Sequence, residues 1–364
     1  MKPRTLGWLL VVGLASCGGR SALPVLDSTD DDEAPIVVYS AAAPTARIFD
    51  APTPGLAGTG LKVALYGDQG VKPESRRVLQ LVLEERADAL ILLGDLAYDE
   101  SSPRAWAAQL QEELGEDFPV FAVIGNHDRP GWAGEAGFER FLRERLARMS
   151  DAECVGEYGV KATCTFRGLS FVLSGVGTVE GDHEAYLDSA LRSIDTPFRL
   201  CVWHKNQKDM QAGAKTDEVG WEAYRVCARH GVPIMTGHEH SYARTQLLTA
   251  VGDRAQSHGA TGAHTDLELG PGRTFVVVSG LGGMSRRERT KDHEQDSWWS
   301  AIYARDAQLR NGSLQSTAPQ IEDGAFFLVF GIEGDPNKAY GYFKTVDGVI
   351  HDEFTWRARS AGLP

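Results

Sequence analysis

Three observations on this 364-residue chain predict an α/β fold. Short apolar runs at 62–66, 89–93, 120–124, 171–174, 199–203 and 233–236 have the length and composition of buried strands. Segments of helical periodicity lie between them, and strands alternating with helices argue for helices layered on a sheet. Several runs then end in glycine followed by Asp, Asn or His. That puts polar side chains at the carboxyl ends of strands, where an α/β sheet gathers its ligands.

The chain opens with Lys2 and Arg4, then an apolar run over 6–15. The run is too short to span a bilayer, which takes about 20 residues. It ends in Leu14-Ala15-Ser16-Cys17, which resembles a bacterial lipobox. Residues 1–17 therefore read as a lipoprotein-type export signal with lipid carried on Cys17. The expected location is a bacterial outer membrane or cell surface, otherwise the periplasm or the medium. Residues 18–59 hold an acidic run at 27–33, small residues and prolines, and read as a disordered tether. The folded domain is expected over 60–358.

Within it, 62–66 is a buried strand closed by Gly67, and 73–86 a helix whose apolar face carries Val78, Leu79, Val82 and Leu83. Residues 89–93 form a strand. Ser102 caps the next helix, with Pro103 in its first position. Then come a strand at 120–124, a helix at 138–149, a strand at 171–174, a helix at 185–193, a strand at 199–203, a helix at 221–229 and a short strand at 233–236. Beyond His240 the chain turns to β character. Runs at 274–279 and 326–332 are apolar, and 340–345 pairs with 349–356 around Asp347-Gly348, a hairpin signal. The Gly-, Trp- and charge-rich stretch 280–323 reads as a long surface loop, a candidate lid.

Apolar residues at 42% and charged residues at 24% are those of a globular protein. A net charge of −13 argues against nucleic acid as a partner, because neutralising phosphates takes a basic surface. It does not argue against a small phosphorylated substrate, since a local metal cluster outweighs the global field. Apart from Cys17, four cysteines remain: Cys154, Cys164, Cys201 and Cys227. Three pairings are open to them. Cys154 and Cys164 flank a two-glycine stretch suited to a hairpin or loop, so Cys154–Cys164 with Cys201–Cys227 is the favoured pairing.

Five motifs carry the chemistry: Gly67-Asp68-Gln69-Gly70, Gly94-Asp95-Leu96-Ala97-Tyr98, Gly125-Asn126-His127-Asp128, His204 after an apolar strand, and Gly237-His238-Glu239-His240. Carboxylate and phenolate are hard donors suited to Fe(III) or Mn, while imidazole and amide oxygen suit Zn, Mn or Fe(II). His238 and His240, two apart in an extended segment, are expected on one side. Singly, each residue has an ordinary structural role open to it, such as a helix cap, a braced turn or a core histidine.

Together and in order, the five resemble the motifs of the purple acid phosphatases, a branch of the calcineurin-like metallophosphoesterases. The resemblance implies a four-layer αββα sandwich with a dimetal site at strand carboxyl ends. It implies that Asp68, Asp95, Tyr98 and His240 hold an Fe(III)-like ion, and that Asp95, Asn126, His204 and His238 hold a second, Fe(II), Zn or Mn. His127 would contact the phosphate, with Asp128 orienting it. The implied activity is acid-phosphatase-like hydrolysis of phosphate monoesters by metal-activated hydroxide, with a small phosphorylated substrate and contact with a membrane only through the lipid anchor. A phosphodiesterase acting on nucleotides or phospholipid head groups is the alternative within enzymes. A non-catalytic cell-surface protein binding metal or phosphate is the alternative outside them. The chain departs from the pattern in two places. Asp128 stands where many relatives have Glu, and position 214, where plant-type members carry a further His, is Ala. Lys205 and Lys208 are the cations nearest in sequence that could neutralise substrate charge.

The lipobox reading has a direct check. Cys17→Ala is expected to move the protein from the membrane fraction to the soluble one with its specific activity unchanged; continued membrane association would contradict the reading.

Overall fold

The computed structural model describes residues 60–98 and 103–358. The export signal, the tether, Cys17 and Ser102 lie outside these residues.

Strand β1 (Lys62–Tyr66) lies parallel to β2 (Ala89–Leu92), and β2 to β3 (Val120–Ala122), in register Tyr66–Leu92 and Leu92–Ala122. Apart from half-buried Lys62 at the start of β1, all three are apolar and buried, as expected of strands covered on both faces. On the other side of β1 the sheet continues antiparallel through β15 (Gly324–Phe330), β16 (Lys338–Thr345) and β17 (Ile350–Arg357). The short β10 (Asp266–Glu268) closes that edge. The expected hairpin around Asp347-Gly348 joins β16 to β17, with Gly348 at φ 88°.

Among the described residues the second sheet has ten strands. Its parallel centre is β6 (Leu169–Ser174), β7 (Phe198–Val202), β8 (Ile234–Thr236) and β11 (Val276–Ser279). One flank is the hairpin of β4 (Ala152–Glu157) and β5 (Lys161–Phe166), where Cys154 pairs with Cys164 in register and in a disulfide. The other disulfide joins Cys201 on β7 to Cys227. The opposite flank is β9 (Tyr242–Thr245), β12 (Trp299–Ala304), β13 (Ala307–Arg310) and β14 (Ser313–Ser316).

This last meander corrects the expectation of a long loop over 280–323. Trp298, Trp299 and Ile302 are buried against the second sheet, and Asn311-Gly312 turns β13 into β14 with both residues at positive φ. That is an Asn-Gly hairpin signal overlooked amid the charged residues.

Helices complete four layers. α1 (Pro73–Glu84), α2 (Pro103–Leu114) and α3 (Phe138–Leu146) cover the first sheet, α1 packing on β15 and α3 on β3. α4 (His183–Ser193) and α5 (Trp221–Arg229) cover the second. Between the sheets, Phe198 meets Phe330 and Trp356 at ring separations of 4.7 and 5.2 Å, and Tyr242 stacks on Phe343 at 4.1 Å.

A buried ion pair crosses this apolar interface. Arg244 on β9 is fully buried and grips Asp352 on β17 with two nitrogens, Nε at 2.6 Å and Nη2 at 2.9 Å. Tyr242 Oη donates to the same carboxylate at 2.7 Å. Removing one partner of such a pair strands a buried charge, at a cost of about 3–5 kcal/mol. Asp352→Ala is therefore expected to lower the denaturant midpoint steeply. A loss under about 1 kcal/mol would mean that the pair does not clamp the sheets.

Candidate metal centre

Parallel strands aligned in register bring their carboxyl ends to one edge, and the five motifs follow five such ends. Asp68 comes after β1, Asp95 and Tyr98 after β2, Asn126 after β3, His204 after β7, and His238 and His240 after β8. Four of the donors thus come from the first sheet and three from the second. The turns are tight enough to put Asp68, Asp95 and His238 in the left-handed region, at φ 63°, 53° and 69°. Two glycines are required by close approach. A Cβ on Gly125 would lie 2.1 Å from the Asp95 amide nitrogen, and one on Gly94 would lie 2.6 Å from the His204 ring.

The donors form two groups. In the first, Asp68 Oδ1, Tyr98 Oη and His240 Nε2 lie 2.9, 3.0 and 3.1 Å from one another. In the second, His204 Nε2 lies 3.1 Å from Asp95 Oδ2, 3.2 Å from Asn126 Oδ1 and 3.1 Å from His238 Nδ1. Metal–ligand bonds of about 2.0–2.2 Å set neighbouring donors about 3 Å apart, which is the spacing found.

The protons also fit. His204 Nδ1 donates to the Leu93 carbonyl at 2.8 Å, and His238 Nε2 donates to Glu218 at 2.5 Å. Each bond fixes a tautomer and leaves the other nitrogen as a lone pair facing the group. His240 Nδ1 bonds Ser285 Oγ at 2.5 Å, leaving its Nε2 inward. Four acceptor atoms meeting around His204 make an arrangement that calls for positive charge, as a proton or a metal ion.

The titration shifts carry the same message. Burial pushes His204 down, yet the Asp95 carboxylate outweighs it and holds the imidazole up at about 9. A proton there stands in for missing positive charge. His238 is held far below its ordinary value by burial, then by His204 and Lys215. Burial first, then Asp68 and Asp95, raise the Tyr98 phenol far above its ordinary value, so only a strong cation would ionise it.

His127 is exposed, its ring 4.5 Å from that of Tyr98, and its backbone N–H donates to Asp95 Oδ1 at 2.9 Å. Asp128 was expected to orient it. Instead both Asp128 oxygens accept backbone N–H groups, from Leu96 at 2.8 Å and Gly125 at 2.7 Å, tying the second motif to the third. Burial, then Asp95, lifts its carboxyl to about 7. The segment holding His238 and His240 is bent, not extended: the His238 amide turns to donate to Asp68 Oδ2 at 2.7 Å. The two imidazoles consequently serve different groups.

Lys205 is paired with Glu218 at 2.6 Å and Lys208 with exposed Asp292 at 3.4 Å. The lysine that reaches the centre is Lys215, whose Nζ lies 2.9 Å from His238 Nδ1. Glu218, Ser285 and Lys215 had no sequence signal, because none belongs to a motif or a periodic element.

A family profile described as calcineurin-like phosphoesterase matches residues 61–242, which is 182 of 364 residues. No curated protein matches the sequence. Among solved structures, the purple acid phosphatase PPD1 from yellow lupin (Lupinus luteus) seeds matches with a TM-score of 0.60 at 15% identity, over 82% of this chain and 54% of that one. The chain thus spans about half the length of the lupin enzyme, 54%. PhoD matches with a TM-score of 0.52 at 12% identity, over 86% of this chain and 72% of that one. GAP50, described as the anchor in the inner membrane complex of Plasmodium, matches at 0.51 and 14%, over 83% and 90%. At these identities the likeness is one of fold.

Glu218 offers a test of the donor arrangement. Outer hydrogen-bond partners of metal-bound histidines are worth about 10–100-fold in metal affinity. In a chelator titration, Glu218→Ala is expected to release one metal ion per chain at about 10–100-fold lower chelator, while the other ion follows wild type. An unchanged titration would mean that His238 takes no metal.

Proposed function

The chain belongs to the calcineurin-like phosphoesterases, hydrolases of phosphate esters, and on that premise we propose that it cleaves phosphate monoesters with two metal ions, in the manner of the purple acid phosphatases. The observation that carries this reading is Tyr98, whose Oη sits between Asp68 Oδ1 at 2.9 Å and His240 Nε2 at 3.0 Å. A phenol among a carboxylate and an imidazole makes a hard, anionic set suited to a trivalent ion. The second set, with Asn126 and two imidazoles, suits Fe(II), Zn or Mn.

When bound, two such ions supply Lewis acidity and lower the pKa of water from about 15.7 toward about 7. The chain's own residues do the rest. Asp68, Asp95, Tyr98, Asn126, His204, His238 and His240 hold their donors at fixed spacing. One Asp95 carboxylate oxygen faces His204 and the other is bonded to the His127 amide. That amide bond sets the His127 backbone, and the exposed imidazole beside Tyr98 is in position to hydrogen-bond a phosphoryl oxygen as charge grows on it. Asp128 keeps both loops from opening. No Ser or Cys nucleophile is needed, so no covalent phosphoryl-enzyme forms. Export and a lipid anchor at Cys17 belong to the same proposal, supported by two disulfides, which suit an oxidising compartment.

One preparation tests both activity and branch. The protein stripped of metal and reloaded with iron under air is expected to hydrolyse p-nitrophenyl phosphate in preference to bis-p-nitrophenyl phosphate, and to gain a visible phenolate-to-Fe(III) band that Tyr98→Phe lacks. Preference for the diester would favour the phosphodiesterase reading. Identical spectra at equal iron content would put Tyr98 outside the coordination sphere.

A further inference from the structure

The segment between Met210 and α5 contributes no metal donor, yet it carries a cation into the centre. Lys215 Nζ reaches the His238 nitrogen that Glu218 leaves free, at 2.9 Å. Its stem is half-buried, and among the described residues it makes no ion pair, unlike Lys205 and Lys208.

The segment is held from several sides. Gln211 Nε2 donates to the Lys215 carbonyl at 3.0 Å, and the Thr290 amide donates to the Ala212 carbonyl at 3.0 Å. Gly213 lies so close to Glu239 that a Cβ would come within 2.1 Å of that carboxyl carbon. Arg287 stands nearby, its amide donating to the His240 carbonyl at 2.9 Å and its guanidinium 3.6 Å from Glu239. Lys215, Glu239 and Arg287 share the wall of a cavity of about 700 Å³.

We propose that Lys215 selects monoesters over diesters by hydrogen-bonding the second negative charge of a dianionic phosphoryl group. This rests on the phosphoesterase reading and adds its determinant of substrate class. A metal held by His238 Nδ1 would take the lone pair that the ammonium faces, and the anchored segment would keep the ammonium beside the centre. A monoester at neutral pH carries close to two negative charges on its phosphoryl oxygens, and a diester carries one. A cation already in place gains more from the first, and the gain needs no reorganisation. Arg287 stands ready to meet the remainder of a charged substrate along the same wall.

The test uses the full metal-loaded chain, with Lys215→Met and Lys215→Arg. Readouts are kcat/KM on p-nitrophenyl phosphate and on bis-p-nitrophenyl phosphate, the affinity for inorganic phosphate by calorimetry, and metal content. Losing a charge-assisted hydrogen bond should cost Lys215→Met about 10–100-fold on the monoester. A smaller loss is expected on the diester, about tenfold weaker phosphate binding and unchanged metal content, with Lys215→Arg recovering most of both losses. Equal losses on both esters with phosphate affinity unchanged would overturn the proposal. So would a metal ion lost from Lys215→Met, because the lysine would then be a support for His238. A wild-type protein that binds both metals and hydrolyses neither ester would overturn the phosphoesterase reading itself. Activity with an ester ratio indifferent to Lys215 would overturn only the selection.

Discussion

The candidate metal centre is shared between two sheets, so the distance between those sheets is the constraint on which the rest depends. Asp68, Asp95, Tyr98 and Asn126 follow strands of the first sheet; His204, His238 and His240 follow strands of the second. Their donor atoms meet within 2.9–3.2 Å. A slip of one ångström between layers would dissolve the arrangement. Apolar packing resists separation but is non-directional. Direction comes from bonds that cross between the sheets: His204 to the Leu93 carbonyl, the His238 amide to Asp68, and the Gly67 amide to the Ser279 carbonyl at 2.8 Å. Arg244–Asp352 adds a clamp whose bidentate geometry tolerates little sliding.

Assembling the donors works against stability. Three of them take positive φ without being glycine, and lone pairs confront one another inside a buried space. Protons on His204 and on the Tyr98 phenol relieve part of that repulsion. A metal ion relieves more, because it satisfies several lone pairs at once. Metal binding and folding are therefore linked in this chain, as they are wherever ligands must be deprotonated and held close.

The parallel strands and helices were legible because their apolar runs are continuous and their glycine punctuation is regular. Val63, Leu90 and Phe121 could hardly have been anything but core. The candidate donors stood out in the sequence because each lies in the turn after such a strand. What sequence reading lost was what periodicity does not encode. β12, β13 and β14 hide among charges, although Asn311-Gly312 marks their turn. Asp128, beside His127 in the chain, spends its bonds on loop backbone, since sequence adjacency says nothing of where a short side chain points. Glu218 and Lys215 reach the centre from a segment with no pattern, so only the folded chain reveals them. The residues after His240 repeat the lesson. Tyr242 and Arg244, two and four positions beyond a candidate donor, serve the sheet interface.

The charge of the whole molecule and that of its centre have opposite signs in their effect on substrate. At −13 the chain repels a phosphate dianion at long range. That repulsion fades beyond about 8 Å at physiological salt. Inside that distance the local arrangement decides. Asp68 and Asp95 are turned inward toward metal donors, Glu218 is occupied by His238 and Lys205, and Glu239 is buried beside Arg287. The carboxylates nearest the centre thus face histidines, lysine or arginine, while Lys215 and Arg287 share the cavity wall. The cavity wall itself carries Lys215, Arg287, Arg289 and Lys291 beside Glu239, Glu288, Glu294 and Asp306, so position rather than net sign decides which charge a substrate meets there.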